Sequence, residues 1–433
     1  MYFLVDSSAS SFNGHNLEYI IRLSSYLSDK STLLVNRNCE VTNPSILKIF
    51  RHSTWDFGRY GFRYGSRFTL PNKQTRSFLK DLHDANLDFE PEDTLFVSTA
   101  NFREIKALDN FLMRKVKRGF QVPKVYVMLR RPLSEGLSNL KMFNTFERLV
   151  ALRIFKRIQT KIVFITDTPQ IQDYFEYNFG LSVKNVGTLG YDPIPDSTLE
   201  KKNLFFLPPN ARKETRSDIE NIISIVSNNE KLENIQLSPD DFYWSLRRSR
   251  YVVLPYDPNR YRLRSSGIFA EAMSLNTRPI VPTGTWMSQE ASGLFNKLPE
   301  EDEQFFDTRE WEINVIKLKG FLVFKISTES DYQEILISSK DHKSRHLLTR
   351  SANSDIFVHN VTNETSIKFN VKKGSFGNRV IISRNFAELL ALPYLPSFGD
   401  EVVKACQTGD IQLSSNILVG KYDPSSIIKA LSF

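Results

Sequence analysis

One segment of the sequence, residues 251–293, combines a helix start with residue types that can hold a phosphate group. An apolar run that is typical of a buried strand ends there at Pro255, and Ser265, Ser266 and Gly267 open the helix that follows. A serine caps a helix start, and the backbone N–H groups of the first turn form an anion site. Glycine lets a phosphate approach the backbone closely. The order of these residues therefore predicts a phosphate-binding helix start.

Two charged residues extend this predicted site. Glu271 lies one turn further along the same helix, and Arg264 precedes the helix. A carboxylate there can accept hydrogen bonds from both ribose hydroxyls, while a guanidinium supplies positive charge beside a diphosphate. Taken singly, such a glutamate is more often a surface residue and such a serine only a cap. Their combination after a buried strand favours a site for a nucleoside diphosphate.

The segment resembles the donor-binding half of retaining glycosyltransferases of the GT-B fold, especially bacterial polysaccharide enzymes. The resemblance rests on four features in this order: a loop, a helix start with small residues, a helix that contains Glu-Ala-Met, and a strand with a proline. The residues that carry these features here are Tyr261, Arg264, Ser265, Ser266, Gly267, Glu271, Ala272 and Pro279. It implies a nucleotide sugar as substrate, with no metal and no other cofactor. Many members carry an earlier glutamate at the position that Leu263 occupies here. In the family that glutamate often contacts the transferred sugar, so this contact is missing from the present sequence. No catalytic base is identified.

The resemblance also assigns residues outside this segment. Arg212 and Lys213 would reach the donor diphosphate. Gly14 and His15, in the loop after the first predicted strand, would line the acceptor side, although a strand-to-helix turn is an equally good interpretation. Asp167 would face the cleft between two domains. For this last residue, an N-cap of the helix after it is the stronger interpretation.

Alternating apolar and amphipathic stretches over residues 1–190 indicate a parallel sheet covered on both faces. The predicted strands of this first part lie at residues 2–5, 32–35, 94–97, 125–129, 162–165 and 183–189. A second, smaller set follows, with strands at residues 204–207, 251–256 and 279–282 and helices at residues 218–226, 239–248 and 266–275. The expected fold class is α/β, with two Rossmann-like domains, 1–190 for the acceptor and 191–312 for the donor, and a ligand cleft at the carboxyl ends of their strands.

The remaining residues, 313–433, show a different pattern. Period-two alternation predicts an added antiparallel β module of the small-sandwich kind, with strands at residues 320–326, 334–338, 356–359, 366–371 and 380–383. Residues 424–431 look helical. No motif in this module assigns a role to it.

Charge and cysteine content narrow the expected surroundings of the protein. A formal net charge of +8 favours polyanionic partners. Cys39 and Cys406 are too few for a disulfide framework, which indicates a reducing compartment. No leader and no membrane-crossing apolar run is visible, so the expected location is the cytoplasm. His342 and His346 lack the glutamate of a zinc-binding helix motif, and no metal site is expected.

Two basic stretches leave alternatives open. Residues 51–76 interleave arginines with aromatic residues, which suits an acceptor loop, single-stranded nucleic acid or the plain packing of an irregular surface loop. Residues 140–158 form a basic amphipathic pattern that suits either a helix covering a sheet or peripheral contact with an anionic membrane, where lipid-linked acceptors lie. The leading hypothesis is transfer of a sugar to a glycan, lipid-linked or other acceptor. A sugar-binding scaffold without turnover and a nucleic-acid-binding protein are the alternatives, and a nucleic-acid partner is not expected.

Overall fold

A computed structural model describes residues 1–11, 15–27, 30–53, 73–132, 152–153, 155–191, 203–208, 237–282, 284–292, 302–314, 321–339, 343–360, 365–374 and 377–383. The described chain divides into two compact units, one with Met1–Leu189 and the other with the residues from Gly190 onward. In these ranges no helix is long and apolar enough to cross a membrane.

The first unit is built on a seven-stranded parallel sheet. Its strands are β1 (Tyr2–Asp6), β2 (Ser31–Asn36), β3 (Ile46–Phe50), β4 (Thr94–Val97), β5 (Lys124–Met128), β6 (Ile162–Thr166) and β7 (Val183–Asn185). Its helices are α1 (His15–Tyr26), α2 (Lys73–Asp84), α3 (Phe102–Lys117) and α4 (Pro169–Phe179). The strand order β3-β2-β1-β4-β5-β6-β7 reverses between β1 and β4, as in doubly wound sheets.

Alternation along the strands explains how this sheet packs. Leu4, Phe96 and Ile165 belong to one buried apolar cluster, together with Leu17 and Ile20 of α1. These side chains bury one face of the sheet, since alternate residues of a strand point the same way. The parallel sheet predicted from the sequence is confirmed, with β3 as an added strand at its edge.

The second unit begins with a three-stranded parallel sheet in the order β10-β9-β8. Its strands are β8 (Asn203–Phe206), β9 (Ser249–Val253) and β10 (Arg278–Ile280), and its helices are α5 (Pro239–Arg248), α6 (Pro258–Tyr261), α7 (Gly267–Ser274) and α8 (Trp286–Ser292). The predicted helix at residues 239–248 is confirmed, and Ser238 caps it ahead of a proline. The predicted helix at residues 218–226 lies outside the described residues. Within those residues the sheet is parallel α/β structure, and a complete second Rossmann domain is not confirmed.

The rest of the second unit is an eight-stranded antiparallel module. Its strands are β11 (Asp302–Phe306), β12 (Glu310–Asn314), β13 (Phe321–Thr328), β14 (Tyr332–Ser338), β15 (Lys343–Thr349), β16 (Ser354–Asn360), β17 (Ser366–Lys373) and β18 (Asn378–Ser383). They form two sheets, β11-β18-β13-β16 and β12-β17-β14-β15. This is the order of a jelly roll, in which two Greek keys face each other. Its core holds Trp311, Phe324 and Phe369.

The antiparallel character predicted from period-two alternation is confirmed, and the sequence missed β11, β12 and β15. The first of these strands begins at Asp302, ahead of the expected start at residue 313. The predicted terminal helix at residues 424–431 lies outside the described residues.

Candidate functional site

The start of α7 is the central feature of the site. Ser266 has extended backbone angles, φ −120 and ψ 120, and its side chain accepts a hydrogen bond from the Phe269 N–H at 3.2 Å. Ser266 is therefore the N-cap, as its type and position predicted. The cap satisfies one first-turn amide, while the N–H groups of Gly267 and Ile268 have no acceptor within the helix. A helix start of this kind favours an anion.

Glu271 lies one turn after Gly267 on α7, a helix that is buried on nearly every side. Its residue is only 4 % exposed, between the fully buried Ala270 and Ala272. Burying a carboxylate costs free energy unless hydrogen bonds or positive charge offset that cost, so a glutamate at such a position requires a polar or charged partner. Binding to a ribose stays a prediction, and an idle carboxylate on the solvent face is excluded.

A stack of side chains fixes the loop between β9 and α7. The rings of Tyr256 and Tyr261 are parallel, with centroids 4.2 Å apart. The Arg264 guanidinium lies 5.0 Å from the Tyr261 ring centroid. Both tyrosines are buried, whereas Arg264 and Ser265 keep part of their surface in solvent. Tyr261 therefore contacts both Arg264 and Tyr256 just ahead of the capped helix start. Tyr256 is an addition that the sequence did not single out.

Three predicted site residues lie outside the described residues, namely Arg212, Lys213 and Gly14. A fourth, His15, begins α1, but its side chain is not among the described ones. The assignments of these four residues therefore stay predictions.

The predicted capping role of Asp167 is wrong. Thr168 is the N-cap of α4, since its side chain accepts a hydrogen bond from the Ile171 N–H at 3.2 Å and Pro169 takes the first helical position. Proline at that position has no N–H to satisfy, which places the cap immediately before it. Asp167 is buried instead, and one of its carboxylate oxygens lies 3.8 Å from the Arg130 Nε.

Arg130 belongs to a polar cluster at the carboxyl edge of the seven-stranded sheet. Its guanidinium lies 3.9 Å from the Tyr19 ring centroid, and its side chain is partly exposed. Asp6, at the end of β1, is fully buried and accepts hydrogen bonds from Ser98 Oγ at 2.6 Å and from the Ser8 N–H at 2.8 Å.

β1 and β4 flank the reversal of strand order, where open α/β sheets bind ligands. The cluster therefore marks a second candidate ligand site. Asp6 and Arg130 each follow a predicted strand closely, and that placement is the signal that could have found them.

The surroundings of Asp6 make its ionisation unfavourable. Burial raises the pKa of the Asp6 carboxyl, while the hydrogen bonds from Ser98 and Ser8 and the charge of Arg130 oppose that rise. A folded-state pKa above the unfolded value means that this group stabilises the fold below the unfolded pKa. The stabilisation is lost as the pH rises through the folded pKa.

Asp6→Asn is therefore expected to flatten the pH dependence of stability. Asparagine has the same shape and does not ionise, so the variant should gain stability over the wild type as pH rises, and the difference should shrink toward about pH 4. Urea unfolding at several pH values measures this. Asp88→Asn, at an exposed position of the same unit, is the control and should follow the wild type. Parallel curves for wild type and Asp6→Asn would contradict the role given to burial.

The two basic stretches are described only in part. Of residues 140–158, the described end carries Phe155 and Ile158, which are buried at 1 % and 0 % exposure, and Phe155 packs against Phe164 and Phe175. This end covers the core of the first unit, so it does not support a membrane-facing apolar stripe. Most of the tract at residues 51–76 lies outside the described residues.

Among the described side chains, no group of three or more His, Cys, Asp or Glu residues is arranged to hold a metal ion. The candidate site at the start of α7 consists of backbone amides, two stacked tyrosines, Arg264 and Glu271.

No protein-family model matches this chain, and no curated protein is similar to it in sequence. Solved structures give weak likenesses. Sucrose-phosphate synthase from Thermosynechococcus elongatus aligns over 64% of this chain and 80% of its own, at 10% identity and a TM-score of 0.39. The carbohydrate-binding module CBM51 from Clostridium perfringens GH95, in complex with methyl-galactose, covers 20% of this chain and 70% of its own, at 11% identity and a TM-score of 0.18.

The capsular polysaccharide assembling protein CapF from Staphylococcus aureus covers 88% of this chain and 95% of its own, at 10% identity and a TM-score of 0.19. At such low TM-scores these likenesses carry no argument about fold or activity.

Proposed function

We propose that this protein is a glycosyltransferase of the GT-B kind that binds a nucleoside-diphosphate sugar at the start of α7. The observation that carries the proposal is the capped helix start at Ser266, with Arg264 on one side and the buried Glu271 one turn later. Amides and a guanidinium suit the diphosphate, and a carboxylate suits the ribose hydroxyls. Arg212 and Lys213 would add positive charge to the same diphosphate.

The reaction breaks the bond between the sugar C1 and the diphosphate oxygen and forms a bond from C1 to an acceptor hydroxyl oxygen, whose proton passes to the departing diphosphate. Negative charge then grows on the departing diphosphate, and the amides at the α7 start, the helix dipole and Arg264 stabilise it. The remaining effect comes from holding donor and acceptor in reacting geometry. Retention of configuration follows from the resemblance of the α7 segment, and no residue is assigned as a base.

The acceptor is proposed to bind at the carboxyl edge of the seven-stranded sheet. Asp167 follows β6 directly and so lies at this edge. By the resemblance, Gly14 and His15, which come after β1 in the sequence, would add to the same site. The hydroxyl groups of a glycan or lipid-linked acceptor can donate hydrogen bonds to the Asp167 carboxylate. A cytoplasmic location and contact with an anionic membrane face stay predictions.

A binding protein without turnover is the second candidate. Leu263 stands at the position of the earlier glutamate and is buried at 5 % exposure. An apolar side chain gives no hydrogen bond to a sugar hydroxyl. The nucleotide half of the donor would still be recognised, so binding could persist where transfer does not.

Thermal unfolding with a panel of nucleoside diphosphates and their sugars tests the proposal. A ligand at about one hundred times its dissociation constant adds about 2.7 kcal/mol to the stability of the folded state. At least one nucleoside diphosphate should raise the melting temperature, and the matching nucleoside without phosphates should not. No shift with any diphosphate would contradict the donor site. A shift without release of nucleoside diphosphate from any sugar nucleotide, with or without added acceptors, would favour the binding protein.

A further inference from the structure

A buried ion pair joins the loop before α7 to the jelly roll. Arg262 Nη1 lies 3.8 Å from Glu334 Oε1, and the two side chains are 8% and 4% exposed. Arg345 Nε lies 3.1 Å from the same oxygen, and its side chain is 36% exposed. Burial lowers the pKa of the Arg262 guanidinium, and the charge of Glu334 opposes that effect. The glutamate carboxylate therefore supports a buried positive charge on the loop.

The strand that carries Glu334 is irregular at this residue. The pairing of β14 with β17 shifts register between Glu334 and Ile335. A β-bulge turns side chains away from their regular direction, and bulges recur beside functional sites. The bulge and the ion pair together indicate that the jelly roll presents this carboxylate to the loop.

A second contact links α7 to the jelly roll through α8. Phe269 of α7 packs edge-on against Trp286 of α8, with ring centroids 5.2 Å apart. The Gln289 side-chain amide of α8 donates a hydrogen bond to the Leu347 carbonyl of β15. Both the loop before α7 and the helix that packs on it are therefore fixed to the jelly roll.

We propose that Arg262 is a positioning residue, through which the jelly roll sets the shape of the donor loop. Arg262 lies two residues before Arg264 and four before the cap Ser266. A fixed Arg262 limits the positions that Arg264 and the cap can take. The inference rests on the proposed function, because it assigns the loop to the donor diphosphate. It gives the jelly roll a part in donor binding.

Glu334→Gln tests this inference, because glutamine keeps the shape and removes the charge. Amide hydrogen exchange over residues 260–269 should become faster than in the wild type, while exchange in the seven-stranded sheet stays the same. The dissociation constant of the nucleotide sugar should rise about ten-fold, with a smaller change in kcat, because the loop acts mainly on binding. Arg262→Lys keeps the positive charge beside Glu334 and should therefore lose less affinity than Glu334→Gln.

The matched control is Glu329→Gln, since Glu329 lies on the same module, is 78% exposed and pairs with Arg379 at 3.7 Å. It should leave both measurements unchanged. Arg345→Gln removes a partly exposed partner, so it should fold normally and show a smaller effect in the same direction as Glu334→Gln.

Three results would overturn the inference. The first is unchanged loop exchange in Glu334→Gln. The second is a rise in exchange spread evenly over the whole second unit, which would mark a purely structural pair. The third is faster loop exchange with unchanged nucleotide affinity. A wild type that binds no nucleotide sugar would instead refute the proposed function, and the exchange measurement would still report whether Glu334 fixes the loop.

Discussion

Replacing Glu271 with glutamine is expected to weaken nucleoside-diphosphate binding while the fold stays intact. A hydrogen bond to a charged group contributes about 2 kcal/mol, which corresponds to roughly thirty-fold in the dissociation constant. Glutamine is chosen over alanine because Glu271 is 4 % exposed, and a shortened side chain would leave a cavity in α7. Calorimetric titration with the diphosphate found by thermal unfolding measures the change.

Glu290→Gln provides the control for this substitution. Glu290 lies on α8 of the same unit and is also buried, at 8 % exposure. Its replacement removes a similarly buried carboxylate that the proposal does not place at the ribose. Equal losses of affinity in both variants, or an unchanged affinity in Glu271→Gln, would remove Glu271 from the donor site. A fall in melting temperature alone would give it a structural role.

Among the described strands, those that the sequence missed all lie at sheet edges, namely β3, β11, β12 and β15, although the edge strands β7, β8, β10 and β16 were predicted. The apolar runs of β1 and β9 identify them because every residue of such a strand meets other side chains. β3 lies at an edge, and its pattern includes the exposed Leu47 and Lys48. β15 also lies at the edge of its sheet and also carries charged residues. Charges on edge strands discourage pairing with other chains, and they also hide the strand from a search for apolar runs.

Local features of the site could be predicted, and contacts between distant residues could not. The cap at Ser266 depends only on its own turn, so the residue types reveal it. The error at Asp167 came from choosing between neighbouring cap formers without using Pro169, which selects Thr168. The contact of Arg262 with Glu334 has no local signal, because it arises only when the jelly roll packs on the loop.

Replacing Gly284 with alanine is expected to be the most destabilising single change at the contact between α8 and the jelly roll. Gly284 has φ +75, and a Cβ there would lie 2.5 Å from the Arg345 carbonyl oxygen. That carbonyl belongs to β15, which is paired with β14 and has little freedom to move. The left-handed backbone costs about 1 kcal/mol for alanine, and overpacking against backbone adds about 2 kcal/mol. Urea unfolding of the second unit measures the sum.

Gly119→Ala separates the two costs. Gly119 has nearly the same backbone angle, φ +77, but no atom lies within 4 Å of the added carbon. This variant should therefore lose only the cost of the left-handed backbone, about 1 kcal/mol. Equal losses at both glycines would show that β15 yields to the added carbon. A larger loss at Gly284, accompanied by weaker nucleotide binding, would show that Arg345 and Glu334 transmit a displacement of β15 to Arg262 and the donor loop.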